Sequence, residues 1–323
     1  MLLAVIFVAI GVAIGSVFWL YNSDLERARK SAGRGSQVAN TTVGPIEYAE
    51  TGVGFPLLSI HGAGGGFDQG LANVRDFIDG GFREIAPSRF GYLRTPAPPD
   101  ASVTAQADAH AALLSALNVP KAVVVGVSAG ARSAVELAIR HPGRVSALIL
   151  VVPGTFSPDS PVSLPAGHGS GFLLWLVNVG ADFAWWAAQK IAPSMLVRFA
   201  GVPPKLLTAS AKPERARVKA IVEAIEPLSL RFRGIALDSV ADANPPRFSA
   251  IVAPTLVISA HDDLFNTAPA ARFAARMIPS ARLIVFDTGG HLLVGRAREV
   301  REAVRAHLAP LGLMSPAGLS LVQ

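Results

Sequence analysis

The stretch VVVGVSAGAR, residues 123–132, places one serine between two glycines where an apolar run gives way to a helical pattern. The β-branched residues before the serine predict a buried strand, and ARSAVELAIRH at 131–141 predicts a helix. Gly126 and Gly130 stand two positions before and after Ser128, which leaves room for a tight turn with Ser128 at its tip. Such a turn lifts the serine oxygen out of the sheet and points the N-terminus of a helix at it, where developing negative charge is stabilised.

Strands and helices alternate along most of the chain from about residue 45. Apolar runs predict strands at 56–60, 83–87, 122–126, 145–152, 255–259 and 282–287. Helical patterns lie at 101–118, 131–141, 268–278 and 295–308. This order predicts an α/β fold with a mostly parallel, doubly wound sheet, whose core is formed by residues 45–153 and 248–310.

Residues 154–247 interrupt the alternation. They begin with a turn-rich segment, continue with an apolar and aromatic one that holds three of the four tryptophans, and become basic and helical. We interpret them as a helical cap inserted between two strands of the sheet. The alternative is a second membrane segment at 171–189, which Asp182 disfavours because a charge at mid-membrane is costly.

The chain opens with an apolar segment without charges at residues 2–21. Twenty residues of helix span about 30 Å, the thickness of the hydrocarbon core of a bilayer. Trp19 and Tyr21 lie at one end, where amphipathic rings favour the membrane interface. We predict a single-pass transmembrane anchor at 1–22, with membrane lipid as its partner. The alternative is a cleaved signal peptide, which the length of the run and the lack of a basic start disfavour.

Basic residues follow the predicted anchor, at Arg27, Arg29, Lys30 and Arg34. By the positive-inside rule they favour a cytoplasmic location for the rest of the chain. The composition of residues 23–44 predicts a flexible linker, and we assign 311–323 as a C-terminal tail.

The composition of the 323-residue chain limits its chemistry. Apolar residues make up 51%, the net charge is +6 and there are no cysteines. Disulfides, thiolate metal sites and cysteine nucleophiles are therefore excluded. The basic residues are scattered singly, which disfavours nucleic acid as a partner.

Two further motifs follow predicted strands. The loop His61-Gly62-Ala63-Gly64-Gly65-Gly66 comes directly after the strand at 56–60, and His291 ends the sequence Asp-Thr-Gly-Gly-His after the strand at 282–287. Together with Gly-Val-Ser-Ala-Gly at 126–130, these motifs resemble the α/β-hydrolase family, over residues 45 to 308 and in the family's order.

The resemblance implies a role for each residue. Ser128 would be the nucleophile, His291 the general base and Asp263, after the strand at 255–259, the acid that orients His291. Asp262 is the rival for the acid, since a shift of one position exchanges the two. The backbone N–H groups of Ala63 and Ala129 would form the oxyanion hole. His61 would brace the oxyanion loop, and the segment 88–92 would line the pocket or serve the structure alone.

A serine nucleophile implies acyl transfer without a metal or a cofactor. The apolar insertion and the anchor favour an apolar small-molecule ester, hence a carboxylic ester hydrolase. A thioesterase or a hydrolase of a C–C bond beside a carbonyl would use the same three residues. A non-catalytic ligand-binding protein on a hydrolase scaffold is the alternative of another class, and the presence of all three residues disfavours it.

Overall fold

The computed structural model describes residues 1–158, 181–240 and 244–314. Its central element is an eight-stranded sheet in the order β1-β2-β4-β3-β5-β6-β7-β8. The strands are β1 (Gln37–Thr41), β2 (Gly44–Thr51), β3 (Phe55–Ile60), β4 (Phe82–Pro87), β5 (Ala122–Val127), β6 (Val145–Val151), β7 (Thr255–Ala260) and β8 (Ala281–Phe286). Strands β1 and β2 are antiparallel to their neighbours, and the remaining pairs are parallel. The predicted mostly parallel α/β sheet is thus confirmed.

Helices accompany the sheet and occur in the described part of the interval between β6 and β7. We number the described ones α1 (Leu2–Ala32), α2 (Phe67–Phe77), α3 (Val103–Ala116), α4 (Gly130–Arg140), α5 (Asp182–Ile191), α6 (Pro193–Phe199), α7 (Pro204–Ala209), α8 (Lys212–Glu223), α9 (Phe232–Asp238), α10 (Thr267–Met277) and α11 (Ala297–Leu308). Short 3₁₀ turns occur at Pro142–Arg144, Leu228–Leu230, Phe248–Ala250 and Ala309–Leu311. The predicted strands and helices of the core agree with these bounds to within two residues.

The sheet is covered on both faces, as its apolar strands require. Along β5, Val124 packs into the cluster that also holds residues of α3, α4 and α10, whereas Val123 and Val125 pack into the cluster with α2 and α11. This alternation follows from the two-residue repeat of a strand. Loops after the carboxyl ends of β3, β5, β7 and β8 meet at one edge of the sheet, which is the edge where doubly wound proteins bind ligands.

The prediction of a flexible linker at 23–44 is wrong in two places. Residues 23–32 continue α1, where Glu26 and Lys30 form a helical i,i+4 ion pair of 2.6 Å. Residues 37–41 form β1, which pairs with β2 in an antiparallel hairpin. The hairpin turn ends at Gly44, whose φ of +111° lies in the left-handed region that favours glycine. The core domain therefore starts at β1, before residue 45, because a short polar edge strand has the composition of a linker.

The described part of the insertion between β6 and β7 consists of short helices joined by turns and irregular segments. Residues 171–180 of the considered second membrane segment lie outside the described residues. The remainder belongs to α5, where Trp185 and Ala188 are buried against Leu196, Val222 and Leu228 of the insertion itself. Residues 315–323 of the predicted C-terminal tail also lie outside the described residues.

Helix α1 stands apart from this arrangement. Within the described residues, it is the one helix long and apolar enough to cross a membrane, and its most apolar window has a mean hydropathy of 2.6 with no residue buried. Only Leu25 and Ala32, in its C-terminal third, are buried.

Candidate active site

Ser128 occupies a strained turn between β5 and α4. Its φ is +54°, in the left-handed region that side chains other than glycine rarely adopt. The flanking glycines are required by close packing: a Cβ at Gly126 would lie 2.6 Å from Cβ of Ala134, and one at Gly130 would lie 2.3 Å from the carbonyl oxygen of His61. Strain of this kind is held in place by the surrounding structure and is typical of functional positions.

The structure brings Ser128, His291 and Asp263 together across more than a hundred residues of chain. The Nε2 atom of His291 lies 2.8 Å from Oγ of Ser128, and its Nδ1 lies 2.8 Å from Oδ2 of Asp263. The Asp263 side chain is buried, and the His291 side chain is 9% exposed. Because an ionised carboxylate only accepts hydrogen bonds, the imidazole proton lies on Nδ1 and leaves Nε2 free to accept from the serine hydroxyl.

Asp263 and Asp262 have different partners, which separates the two rivals for the acid. Besides His291, Asp263 accepts hydrogen bonds from the N–H of Phe265, at 2.8 Å, and from the Thr267 hydroxyl. Asp262 instead accepts from the N–H of Gly290, at 2.7 Å. Asp263 therefore contacts the imidazole, whereas Asp262 holds the backbone of the loop that carries it.

Two backbone N–H groups near Ser128 have no partner among the described residues. In the glycine-rich loop, the N–H of Gly62 is bound by the Gln69 side chain at 2.8 Å and that of Gly64 by the Tyr92 hydroxyl at 3.2 Å, which leaves that of Ala63 unused. The N–H of Ala129, at the start of α4, is likewise unused in the described part. The loop is close to the serine, since a Cβ at Gly62 would lie 3.0 Å from Cβ of Ser128.

His61 is a buried structural histidine at the base of this loop. Its Nδ1 lies 2.7 Å from the carbonyl oxygen of Gly62, and its Nε2 accepts from the N–H of Arg89 at 2.9 Å. Burial, together with the nearby Arg89 guanidinium, holds the pKa of His61 well below its usual value. A neutral ring with its proton on Nδ1 satisfies both contacts. These contacts fit the bracing role expected of His61.

Gly201 connects the insertion to the loops of Asp263 and His291. Its carbonyl oxygen accepts hydrogen bonds from the N–H groups of Leu264 and His291, each at 3.1 Å. Its φ is +76°, and a Cβ there would lie 2.4 Å from the Phe265 ring and 2.5 Å from Cβ of His291. The Phe265 ring in turn contacts the His291 ring edge-on, with centroids 4.5 Å apart. Part of the support for the imidazole therefore comes from the insertion.

A buried ion pair fastens the insertion to the core beside the glycine-rich loop. Asp238 of α9 accepts from both Nη atoms of Arg89, at 2.7 and 2.6 Å, and from the Tyr92 hydroxyl at 2.5 Å. The same Tyr92 hydroxyl accepts from the N–H of Gly64. Burial and the Asp238 carboxylate raise the pKa of Tyr92 well above its usual value, so the phenol keeps its proton.

A second ion pair reaches the same loop from the insertion. Arg231, whose side chain is 1% exposed, bonds to Asp68 at 2.7 Å and donates to the carbonyl oxygen of Gly65 at 2.6 Å. We call the contacts made by Arg231 with Asp68 and Gly65, and by Asp238 with Arg89 and Tyr92, the core joint. They connect the insertion to the loop that carries Ala63, directly at Gly65 and through Tyr92 at Gly64.

Sequence reasoning missed the core joint and Gly201. Arg231 and Asp238 lie among other charged residues of the insertion and do not stand out from them, and their partners lie more than 140 residues away in the chain. Within the described residues, no group of three or more His, Asp or Glu side chains is arranged to hold a metal ion.

Comparison with known families gives a consistent result. The sequence matches the model of the alpha/beta hydrolase fold over residues 56–295. It is 28% identical to the 2-hydroxymuconate semialdehyde hydrolase of Pseudomonas putida over 246 residues, which cover 75% of this chain and 82% of that enzyme.

Solved structures of similar proteins cover most of the chain. An alpha/beta hydrolase fold protein from Nakamurella multipartita is 28% identical, with a TM-score of 0.63 over 86% of this chain and 99% of that one. Est816, described as an N-acyl homoserine lactone degrading enzyme, is 25% identical, with a TM-score of 0.56 over 84% of this chain and 99% of its own.

Proposed function

We propose, from the premise that this chain belongs to the alpha/beta hydrolase fold family, that it is a membrane-anchored serine hydrolase of apolar carboxylic esters. The observation that carries the proposal is the unbroken hydrogen-bonded chain from Ser128 Oγ through the His291 ring to Asp263, with 2.8 Å at both links.

The chemistry follows from this arrangement. His291 Nε2 takes the Ser128 proton as the serine oxygen attacks the acyl carbon, and the resulting oxyanion accepts hydrogen bonds from the N–H groups of Ala63 and Ala129. Collapse of the tetrahedral intermediate breaks the ester bond, and His291 returns the proton to the leaving alcohol. Water, deprotonated by His291, then releases the acid from the acyl-enzyme and restores Ser128.

Three features support an apolar substrate delivered at a membrane. The insertion that contributes Gly201 and the core joint is rich in apolar and aromatic residues. The two arginines buried beside the oxyanion loop, Arg89 and Arg231, are each paired with a carboxylate of the protein. Helix α1 has the length and apolarity of a membrane span, and we propose that it is an uncleaved anchor that leaves the domain on the cytoplasmic side.

Hydrolysis of a C–C bond is the second candidate, because a similar protein is a hydrolase of 2-hydroxymuconate semialdehyde. That substrate carries a carboxylate, for which a cation in the site would be expected. The pairing of Arg89 and Arg231 within the protein favours the neutral ester instead.

Labelling with a fluorophosphonate tests the nucleophile. The wild-type protein should react covalently, Ser128→Ala should not, and Ser115→Ala, a serine on the outer part of α3, should react like the wild type. Hydrolysis of p-nitrophenyl esters of rising chain length then tests the substrate class, with 2-hydroxymuconate semialdehyde as the competitor. A strict preference for acetate, or faster turnover of the semialdehyde, would reject the apolar ester.

The neighbouring aspartates give a matched test of the acid. Asp263→Asn should lower kcat about 10³- to 10⁴-fold, because an amide beside Nδ1 favours the wrong tautomer of His291. Asp262→Asn keeps an oxygen that can accept from Gly290 and should retain most of the activity. Equal losses in the two variants would contradict the assignment.

A further inference from the structure

Helix α1 continues without a break beyond its apolar part. Trp19 and Tyr21 lie at the end of the apolar run. Asp24 lies three residues beyond Tyr21, which is about 4.5 Å along the helix axis. If the apolar part spans a bilayer, the turn that holds Asp24 lies at the bilayer surface, where tryptophan and tyrosine rings are enriched.

The insertion docks on this same turn of α1. Trp186 Nε1 donates to Asp24 at 2.8 Å, and Lys190 Nζ lies 3.2 Å from the same carboxylate. The Phe183 ring contacts the Tyr21 ring edge-on, with centroids 5.1 Å apart. We call these contacts of α1 with α5, together with the pair Arg29–Asp182 at 3.6 Å, the helix joint. They hold α5 along the part of α1 from Tyr21 to Arg29, which starts at the end of the apolar segment and extends about 12 Å along the helix axis.

The two faces of α5 differ in what they contact. Trp185 and Ala188 are buried in the insertion. Phe183, Trp186 and Lys190 follow the i, i+3, i+7 spacing of a single helical face, and this face is the one turned to α1. Phe183 remains 49% exposed although it lies beside the apolar segment, and Ile191 at the end of α5 is 82% exposed.

The charges around the helix joint suit an anionic surface. The side chains of Arg27, Arg29, Lys30 and Lys190 are all more than half exposed. Of their acidic partners, Asp24 and Asp182 are mostly buried in the joint, with 21% and 7% of their side chains exposed, whereas Glu26, which pairs with Lys30, is 68% exposed. Exposed cations next to exposed aromatic and aliphatic side chains are typical of a helix that lies in the membrane interface.

The helix joint is linked to the site by a short run of contacts. Asp182, which pairs with Arg29, also accepts from the N–H and the hydroxyl of Ser229, at 2.8 and 2.7 Å. Two residues further on, Arg231 donates to Gly65 of the glycine-rich loop. The end of the apolar helix and the loop that carries Ala63 are thus held by the same segment of the insertion.

We infer that α5 is a membrane-surface helix: Trp186, which is 7% exposed, and Lys190 hold it to α1, and the exposed side chains of Phe183 and Ile191 rest on an anionic bilayer beside α1. The insertion and the Ser128 site are thereby held at the bilayer surface, and the substrate class is an acyl compound dissolved in the membrane. This inference rests on the proposed function in one respect, that α1 spans the membrane.

Because the chain has no cysteine, single introduced cysteines report the depth of chosen positions in the full-length protein. The protein is reconstituted in vesicles of phosphatidylcholine and phosphatidylglycerol, labelled with bimane, and quenched by lipids that carry a doxyl group near the headgroup or deep in the chain. Ile191→Cys is the test position, and Val53→Cys, in the turn between β2 and β3, is the control, since the two residues are 82% and 83% exposed. Val12→Cys reports on the span itself.

The inference predicts strong quenching at 191 by the shallow lipid, little at 53, and strong quenching at 12 by the deep lipid. Quenching at 191 no greater than at 53 overturns the inference. If position 12 is quenched in the same sample, α1 still spans the bilayer and only the placement of α5 is rejected. Absence of quenching at 12 overturns both the anchor and the inference. Fluorophosphonate labelling of Ser128 in the same vesicles reports on the hydrolase separately.

A kinetic measurement tests the substrate class. Phe183→Glu should lower the rate on a long-chain p-nitrophenyl ester held in the vesicles about tenfold, because a charge replaces an aromatic ring at the interface. It should leave hydrolysis of dissolved p-nitrophenyl acetate unchanged, and Val53→Glu should change neither. Equal losses on the two substrates, or no loss on either, would overturn the inference.

Discussion

The insertion is held by two joints of opposite character. At the core joint, the side chains of Arg89 and Asp238 are 7% and 9% exposed, and Arg231 is 1% exposed. At the helix joint, the side chains of Arg29 and Lys190 are 57% and 53% exposed. A buried ion pair has a fixed geometry, and removing one partner strongly destabilises the protein. An exposed ion pair contributes little to stability and is screened by salt. The insertion is therefore fastened firmly to the oxyanion loop and loosely, by its polar contacts, to α1.

The largest effect is expected from breaking the core joint. Asp238→Asn leaves the Arg89 guanidinium buried without a counter-charge, which should lower the free energy of unfolding by about 3–5 kcal/mol. Thermal unfolding in detergent measures the loss. Asp108→Asn, which breaks a pair whose side chains are 40% and 35% exposed, is the control and should lower it by less than about 1 kcal/mol. Similar losses in the two variants would contradict the distinction between buried and exposed pairs.

Gly201→Ala should disturb the site from the insertion side. The added methyl group would lie 2.5 Å from Cβ of His291 and must displace it. A displacement of about 1 Å lowers catalysis about 100-fold, so kcat/KM on a p-nitrophenyl ester should fall by that factor. Gly295→Ala is a matched control, because Gly295 has the same φ of +76° and an added Cβ there would meet open space. Activity lost equally in both variants would assign the effect to backbone strain instead of the clash.

Acidification to pH 5 should lower the free energy of unfolding through a buried histidine of the core and should leave the charge of Asp24 in the helix joint unchanged. Burial lowers the pKa of His110, which contacts Ser133, to about 3, and the nearby Arg89 adds to the effect. The stabilising effect of the neutral ring is complete above about pH 6.5 and is lost as the pH falls, because the unfolded chain binds the proton first. At pH 5 the loss is about 2 kcal/mol.

His110→Gln should remove this part of the acid sensitivity. Unfolding of the variant and the wild type is compared at pH 7.5 and at pH 5, so that the change in packing, which is the same at both values, cancels. The hydrogen bond from Trp186 and the pair with Lys190 lower the pKa of Asp24, so the helix joint keeps this charge at pH 5. An unchanged difference between the two proteins across this range would contradict the buried neutral histidine.

The smallest effect is expected at the helix joint itself. Asp24→Asn keeps an oxygen for Trp186 but loses the pair with Lys190, which should lower the free energy of unfolding by less than about 1 kcal/mol. The difference should shrink when thermal unfolding is repeated in 0.5 M salt, because the screening length falls to about 4 Å. A large, salt-independent loss would show that the polar contacts of this joint resemble those of the core joint.

The strands, and the order of the residues that follow them, could be predicted because buried parallel strands are short, apolar and bounded by turns. Ser128, Asp263 and His291 each follow such a strand, and the carboxyl ends of parallel strands meet at one edge. The hairpin of β1 and β2 could not be predicted, because β1 is a half-exposed edge strand and has the polar composition of a linker. The apolar pattern predicts α1 too short, because it ends at residue 22, whereas the charged residues at 24–30 continue the helix by pairing along it and with α5.

The sequence alone determined the doubly wound sheet, the apolar N-terminal segment, and the placement of Ser128 and His291 directly after strands, since each depends on local patterns of apolar residues and glycines. Only the tertiary structure decided which aspartate contacts His291, how Gly201 supports it, and how the insertion is held between the oxyanion loop and α1. These depend on pairs of charges and close backbone contacts between segments far apart in the chain. Such pairs leave no periodic signal, because each partner is a single residue whose role exists only once the fold has brought it to the other.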